Sequence, residues 1–248
     1  MTATTPPTST ATPEIIQGHE GRYAFSNPED YIARHLRHYG QWEINLCLEL
    51  LKVLPRREAV IRGADAGANI GLFSIQMMSL ATKHRMPMQI DAFEVQPAIY
   101  ADLVRNIELN DFQDVIRPLH QGVGRTSGVI EVEAADPRAL DNAGAFSLRA
   151  DVREHFALTV PTVEKVQIPI APLASGYDFI KIDVEGMELD IIQGAEDILR
   201  AERPAVIVEA WGPEKAPWFQ AEADVLLSLL RDIYPRELPM GENTLFWS

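Results

Sequence analysis

Cys47 is the only cysteine in the 248 residues. No intrachain disulfide can form, and no CxxC metal or redox pair exists, so the chain is expected in the cytoplasm. Long apolar runs are also missing. The longest, such as Ala205 to Val208, stop far short of the roughly 18 residues a membrane helix needs, so membrane insertion is not expected. Basic residues are scarce: 22 Lys and Arg stand against 36 Asp and Glu, for a formal net charge of -14, and no basic run occurs. Little is left to bind a phosphate backbone, and nucleic acid is not an expected partner. Met1 to Pro13 lacks the basic start and apolar stretch of a signal peptide and is rich in Thr, Pro and Ala. Residues 1–27 are expected to be a flexible tail. No internal repeat or long linker follows, so residues 28–248 are expected to form one domain, and 46% hydrophobic content can fill its core.

From Pro28 onward, helical and strand patterns alternate, as in a mostly parallel sheet covered by helices. Ser26 and Asn27 are possible caps before a helix or helix pair over Tyr31 to Val53, where Leu46, Leu50 and Val53 recur at helical spacing. Short strands are predicted at Val60 to Asp65, Gln89 to Glu94, Val115 to Gln121, Phe179 to Asp183 and Ala205 to Glu209. Crossover helices are predicted at Ile70 to Lys83, Ala98 to Asn110 and Glu188 to Glu202. Gly128 to Ile170 breaks the rhythm, with strand-like Val129 to Val132 and Val163 to Ile170 around a polar loop. It reads as an insertion or lid near the active face. Ala223 to Ile233 reads as a helix. Arg236 to Pro239 and Thr244 to Trp247 read as a hairpin turned at Gly241, Glu242 and Asn243, with a reversed last strand.

In such a sheet, ligands sit beyond the carboxyl ends of the strands. After the first strand comes Asp65-Ala66-Gly67-Ala68-Asn69-Ile70-Gly71, whose glycines let the backbone approach a ligand before a helix begins. A nicotinamide-type GxGxxG would need Gly at 67, 69 and 72, but Asn69 and Leu72 break it. An acid followed by Gly67 and Gly71 suits a ligand with a charged amino-acid end better than a pyrophosphate. After the second strand, Glu94 can accept both hydroxyls of an adenosine ribose. A solvated cap is the other reading, and the glycine turn about 25 residues upstream favours the ligand role. Lys181-Ile182-Asp183-Val184-Glu185-Gly186-Met187-Glu188 puts three acids within six residues at the same face. Glu188 reads as an acid complementing the next helix dipole. Asp183, Glu185 and, at the end of the fifth strand, Glu209 are the catalytic candidates. His120 and His155 read as ordinary surface or core histidines.

The segments DAGANIGLFSI, AFEVQPAIYADLVRNIELND, FIKIDVEGMELDIIQGA and RPAVIVE resemble FkbM-family methyltransferases in order and spacing, from about Tyr39 to Glu209. The resemblance implies a Rossmann-like class I methyltransferase fold of the α/β class. This is a seven-stranded, mostly parallel sheet with an antiparallel last strand and helices on both faces. It implies S-adenosylmethionine as cofactor. Asp65, Ala66, Gly67, Asn69 and Gly71 would wrap its methionine part, Glu94 with Val95 its ribose, and Gln121 and Gly122 would border the adenine, with Asp183 also near the cofactor. Two segments depart from the family pattern: Arg62-Gly63-Ala64 replaces an apolar lead into the acid, and Ile170-Ala171-Pro172-Leu173 lacks an acid. The implied reaction is O-methylation of a hydroxyl on a sugar, polysaccharide or natural product. The alternatives are N-methylation of a small amine or a non-catalytic cofactor-binding scaffold. An alcohol is a poor nucleophile while protonated, so a base or a divalent metal ion is expected near it, drawn from Asp183, Glu185 and Glu209. The acceptor is expected to be a small molecule or glycan. Asn142, Ser147 and Arg149 are expected to hydrogen-bond it, and Phe146 and Phe156 to stack on it.

Overall fold

The computed structural model describes residues 13–136, 144, 147–155, 162–212 and 216–248. The elements begin with β1 (Ile15–Gly18), β2 (Gly21–Ala24), α1 (Tyr31–Tyr39) and α2 (Ile44–Val53). Then come β3 (Ile61–Ala66), α3 (Leu72–Lys83), β4 (Met88–Glu94), α4 (Pro97–Leu109) and β5 (Ile116–His120). The insertion holds β6 (Gly122–Val123), β7 (Gly128–Ala135), α5 (Ala150–His155) and β8 (Thr162–Ala171). The chain closes with β9 (Phe179–Ile182), α6 (Glu188–Glu202), β10 (Ala205–Glu209), α7 (Gln220–Ile233), β11 (Arg236–Met240) and β12 (Asn243–Trp247).

Seven strands form the central sheet in the order β11-β12-β10-β9-β3-β4-β5. β10, β9, β3, β4 and β5 run parallel, and β12 pairs antiparallel with β10 and with β11. The expected class I methyltransferase topology, with its reversed last strand, is therefore present. All residues of β9 and β10 are buried, as they must be in a parallel sheet covered on both faces. On one face Leu46, Leu50, Ile75, Leu103 and Ile107 from α2, α3 and α4 pack on Ile61, Ile90 and Ile116. On the other, Ile191, Ile192, Leu199, Leu226 and Leu230 from α6 and α7 pack on Ile180, Ile182, Val206 and Val208. The sheet connections diverge on either side of β3. β3 continues outward through α3 to β4 on one side and lies against β9 on the other, which opens a crevice at their carboxyl ends.

The insertion is a second, three-stranded sheet in the order β6-β8-β7, in which β7 and β8 form a long antiparallel hairpin. Among the expected acceptor contacts, Asn142, Phe146 and Phe156 lie outside the described residues.

The expected tail over residues 1–27 is corrected for its second half. β1 and β2 pair as an antiparallel hairpin, and Ile16, Tyr23, Ala24 and Phe25 are buried. Ile16, Tyr23 and Phe25 join the core between α1, α3 and α4, so the folded unit includes this hairpin. Among the described residues, no helix is long and apolar enough to cross a membrane.

Candidate active site

The turn after β3 is tightly wound, with left-handed backbone at Gly67 (φ 79), Asn69 (φ 52) and Gly71 (φ 91). It is held against the end of β4, where Gly67 N and Ala68 N donate to Phe93 O at 3.1 and 2.9 Å. On its other side it abuts the end of β9. A Cβ at Gly67 would lie 1.8 Å from the Asp183 carbonyl oxygen.

Glu94, 8% exposed, ends β4 beside this turn. One carboxylate oxygen accepts from Asn69 N at 3.0 Å, and the other from Val95 N at 2.9 Å and Gln96 N at 2.7 Å. Burial pushes the carboxyl above its ordinary range, while the amides of Gln96, Asn69 and Val95 oppose that. A cleft opens here at the carboxyl ends of β3, β4 and β9, lined by both polar and apolar residues. Of the residues expected to hold a cofactor, Gly67, Asn69, Glu94, Val95, Gln121, Gly122 and Asp183 line it, together with Glu185.

Asp65, Ala66 and Gly71 do not line it. Asp65 shares the face of β3 that carries Ile61 and points toward α3. It is fully buried, and Ser74 Oγ donates to it at 2.6 Å. Ala66 is buried on the other face, against α6 and its neighbours. Gly71 starts α3, where an added Cβ would meet Leu103 Cδ1 at 2.8 Å, so it serves packing.

Lys181 has a role that motif reading missed, although a lysine inside the buried strand FIKI was a visible signal. Its ammonium is buried 3.1 Å from Asp183 Oδ2, 3.6 Å from Asp65 Oδ1 and 3.3 Å from Gly67 O. Burial works against the charged form, but Asp183, Asp65 and Glu43 outweigh it and hold the ammonium above its ordinary pKa. Lys181 thereby ties the end of β3, the turn and Asp183 together.

The three catalytic candidates converge. One carboxylate oxygen from each of Asp183, Glu185 and Glu209 lies within 4.8 Å of the others. Trp211 Nε1 donates to Glu209 Oε2 at 2.7 Å and fixes its orientation. Glu185 has left-handed backbone (φ 54), and the turn that carries it is held by Glu188. The buried Glu188 carboxyl accepts from Val184 N at 3.0 Å and from Gly186 N at 3.2 and 3.0 Å. The expected dipole-complementing acid at the start of α6 therefore acts through the amides of the preceding turn. Burial pushes its pKa up to about 7. Glu43, at the start of α2, is raised by burial and then by Asp183, which shows that a further acid lies near Asp183 and Lys181.

Two described residues expected to meet an acceptor are engaged elsewhere. Ser147 is fully buried and accepts from Arg149 N at 3.1 Å. Arg149 pairs with Asp151 and Glu222, each at 2.6 Å, and reaches Gly186 O at 3.3 Å. Its neighbour Leu148 faces the cleft instead. His120 stacks on Tyr100 and contacts Val95 O at 3.1 Å, a packing role.

This chain is similar to named methyltransferases across most of its length. It is 27% identical to Methyltransferase sdnD of Sordaria araneosa over 82% of this chain and 84% of that protein. It is 28% identical to Methyltransferase 1 of Beauveria bassiana (strain ARSEF 2860) over 54% of this chain and 57% of that one. A crystal structure of methyltransferase FkbM from Methylobacillus flagellatus KT aligns at 16% identity and TM-score 0.46 over 82% of this chain, which spans half of that structure's length. The Methyltransferase FkbM domain matches residues 65–233, well over half of the chain, from the turn after β3 to the end of α7. The chain therefore belongs to the FkbM methyltransferase family.

Proposed function

We propose that the chain transfers the methyl group of S-adenosylmethionine to a hydroxyl of a sugar, polysaccharide or natural product. The observation that carries this reading is the convergence of Asp183, Glu185 and Glu209 beside the cleft that holds Gly67, Asn69 and Glu94. Glu94 and its neighbours accept the ribose hydroxyls, the backbone at Gly67 to Asn69 follows the methionine end, and Gln121 and Gly122 border the adenine. Bound there, the cofactor supplies an electrophilic methyl group. The chain's own work is then positioning and proton removal. One of the three carboxylates takes the hydroxyl proton as the oxygen accepts the methyl, and Trp211 keeps Glu209 in place. The negative surroundings disfavour phosphorylated or carboxylated acceptors. They equally favour an amine, which makes N-methylation the second reading. Three carboxylate oxygens also suit a divalent cation, which would polarise the hydroxyl; activity surviving exhaustive chelation would assign the chemistry to the carboxylates alone.

The decisive experiment follows labelled methyl groups from the cofactor into extracts of the source organism, with products identified by mass spectrometry. Label on oxygen of a small molecule or glycan is expected. Label in RNA, in a protein or on nitrogen would overturn the acceptor class.

Two variants test the site. Glu94→Ala should weaken S-adenosylhomocysteine binding by about 1.5 to 3 kcal/mol in calorimetry, because a charge-assisted bidentate contact is lost. Unchanged affinity would remove Glu94 from the site. Asp183→Asn should lower turnover by about 10² to 10⁴ while S-adenosylhomocysteine still binds within a few-fold. Equal losses in both would make Asp183 a cofactor-positioning group.

A further inference from the structure

α4 carries Asp102 and Asn106, and Asn110 is its C-cap, so the three side chains at four-residue spacing form one stripe. Arg22, Ala24 and Ser26, at two-residue spacing along β2 and its continuation, meet that stripe one for one. Ser26 N and Oγ donate to Asp102 at 2.8 Å each. Ala24 N donates to Asn106 Oδ1 at 2.7 Å, and Asn106 Nδ2 returns a bond to Ala24 O at 3.1 Å. Arg22 N donates to Asn110 Oδ1 at 2.8 Å, and Asn110 Nδ2 returns to Arg22 O at 2.7 Å. Four helical residues rise about 6 Å and two strand residues about 6.6 Å. The match keeps all three pairs in register, and the amide stripe takes the place of a neighbouring strand.

Asn106 does one thing more. Fully buried, it also donates from Nδ2 to Ile70 O at 3.0 Å, on the peptide that enters Gly71. Beyond its backbone bonds to Phe93 O and the Lys181 contact at Gly67 O, the turn from Gly67 to Gly71 thus has two side-chain anchors. Glu94 holds the Asn69 amide on its cleft side, and Asn106 holds the Ile70 carbonyl on the opposite side. Backbone bonds fix the first half of the turn to Phe93 O, and Asn106 fixes its second half to α4.

We infer that Asn106 is a positioning residue that pre-orders the cofactor turn and couples cofactor binding to the docking of the N-terminal strand. The inference rests on the proposed seat of S-adenosylmethionine in this cleft. Without the Asn106 amide, the Ile70–Gly71 peptide keeps only the Gly71 N bond to Ala68 O at 2.9 Å, and the extra ordering required on binding is subtracted from affinity. Because the coupling is reciprocal, a bound ligand must also tighten the strand that shares Asn106.

The test uses calorimetry with S-adenosylhomocysteine on the wild type, Asn106→Ala and Asn110→Ala. It adds amide exchange by NMR on the wild type with and without that ligand. Asn106→Ala is expected to raise Kd about tenfold. Asn110→Ala loses the same kind of strand contact but no turn contact, so its Tm should drop while its Kd stays within about twofold. In the wild type, the ligand should slow exchange of the Ala24 amide. The exchange measurement needs no variant and stands even if Asn106→Ala fails to fold. Affinity retained in Asn106→Ala, or Ala24 exchange unchanged by the ligand, would overturn the coupling alone. A wild-type chain that bound no S-adenosylhomocysteine would overturn the cofactor site with it.

Discussion

Gly67→Ala should leave no stably folded protein. The residue sits at φ +79, a conformation a side chain occupies only with strain, but the larger effect is steric. The added Cβ would lie 1.8 Å from the Asp183 carbonyl oxygen, which is backbone and cannot rotate aside. Nor can the two strands part cheaply, since Asp183 N donates to Ala66 O at 3.1 Å and β3 pairs with β9 through four positions. Strain, overpacking and lost pairing together should exceed about 4 kcal/mol, within the small class of very damaging single changes. Gly241 is the control. It has φ +74 but nothing within 4 Å of an added Cβ, so Gly241→Ala should cost only about 1 kcal/mol. Urea unfolding followed by circular dichroism compares the two. A Gly67→Ala protein as stable as Gly241→Ala would mean that the close approach of turn and β9 is not as described.

Replacing Lys181 with methionine should cost about 3 to 5 kcal/mol near pH 8, because one partner of a buried ionic group is removed and the other charges stay. Asp65 is fully buried, with the Lys181 ammonium 3.6 Å from one oxygen and Ser74 Oγ donating to the other at 2.6 Å. Burial already raises the Asp65 carboxyl above its ordinary range, and losing the ammonium must raise it further. In the folded variant Asp65 would then hold a proton that the unfolded chain releases. Stability of the variant must therefore fall as pH rises above the ordinary carboxylate range, and recover as pH drops toward it. Urea titrations at pH 5 and pH 8 should show a larger deficit at pH 8. Adding Asp65→Asn to Lys181→Met should recover part of it. A deficit that is equal at both pH values and insensitive to Asp65→Asn would show that Lys181 acts by packing alone.

The strand ends were legible because a parallel sheet buried on both faces writes itself as short apolar runs. FIKI and AVIVE are such runs, and the first polar residue after each must lie at the carboxyl edge. Glu94, Asp183 and Glu209 were found that way, and Glu185 by its place in the turn that follows. Asp65 stands back from the cleft for a related reason. The motif marks the turn, but side-chain direction alternates along β3, and the alternation sends Asp65 into the helix face with Ile61. The hairpin before residue 28 escaped notice because its strands are four residues long and the α4 side chains that hold β2 lie more than 70 positions away in the chain.

The sequence by itself determined the layered α/β class, the crossover order, the reversed last strand and the edge of the sheet where a ligand must sit. Period, length and turn residues are local properties, and these features follow from them. Only the tertiary structure decided which residues of each motif face the cleft, and that Lys181 neutralises two acids from different strands. It alone brought three carboxylates together and let α4 read the N-terminal strand through amide side chains. Those arrangements depend on distances between segments far apart in the chain, which no local pattern encodes.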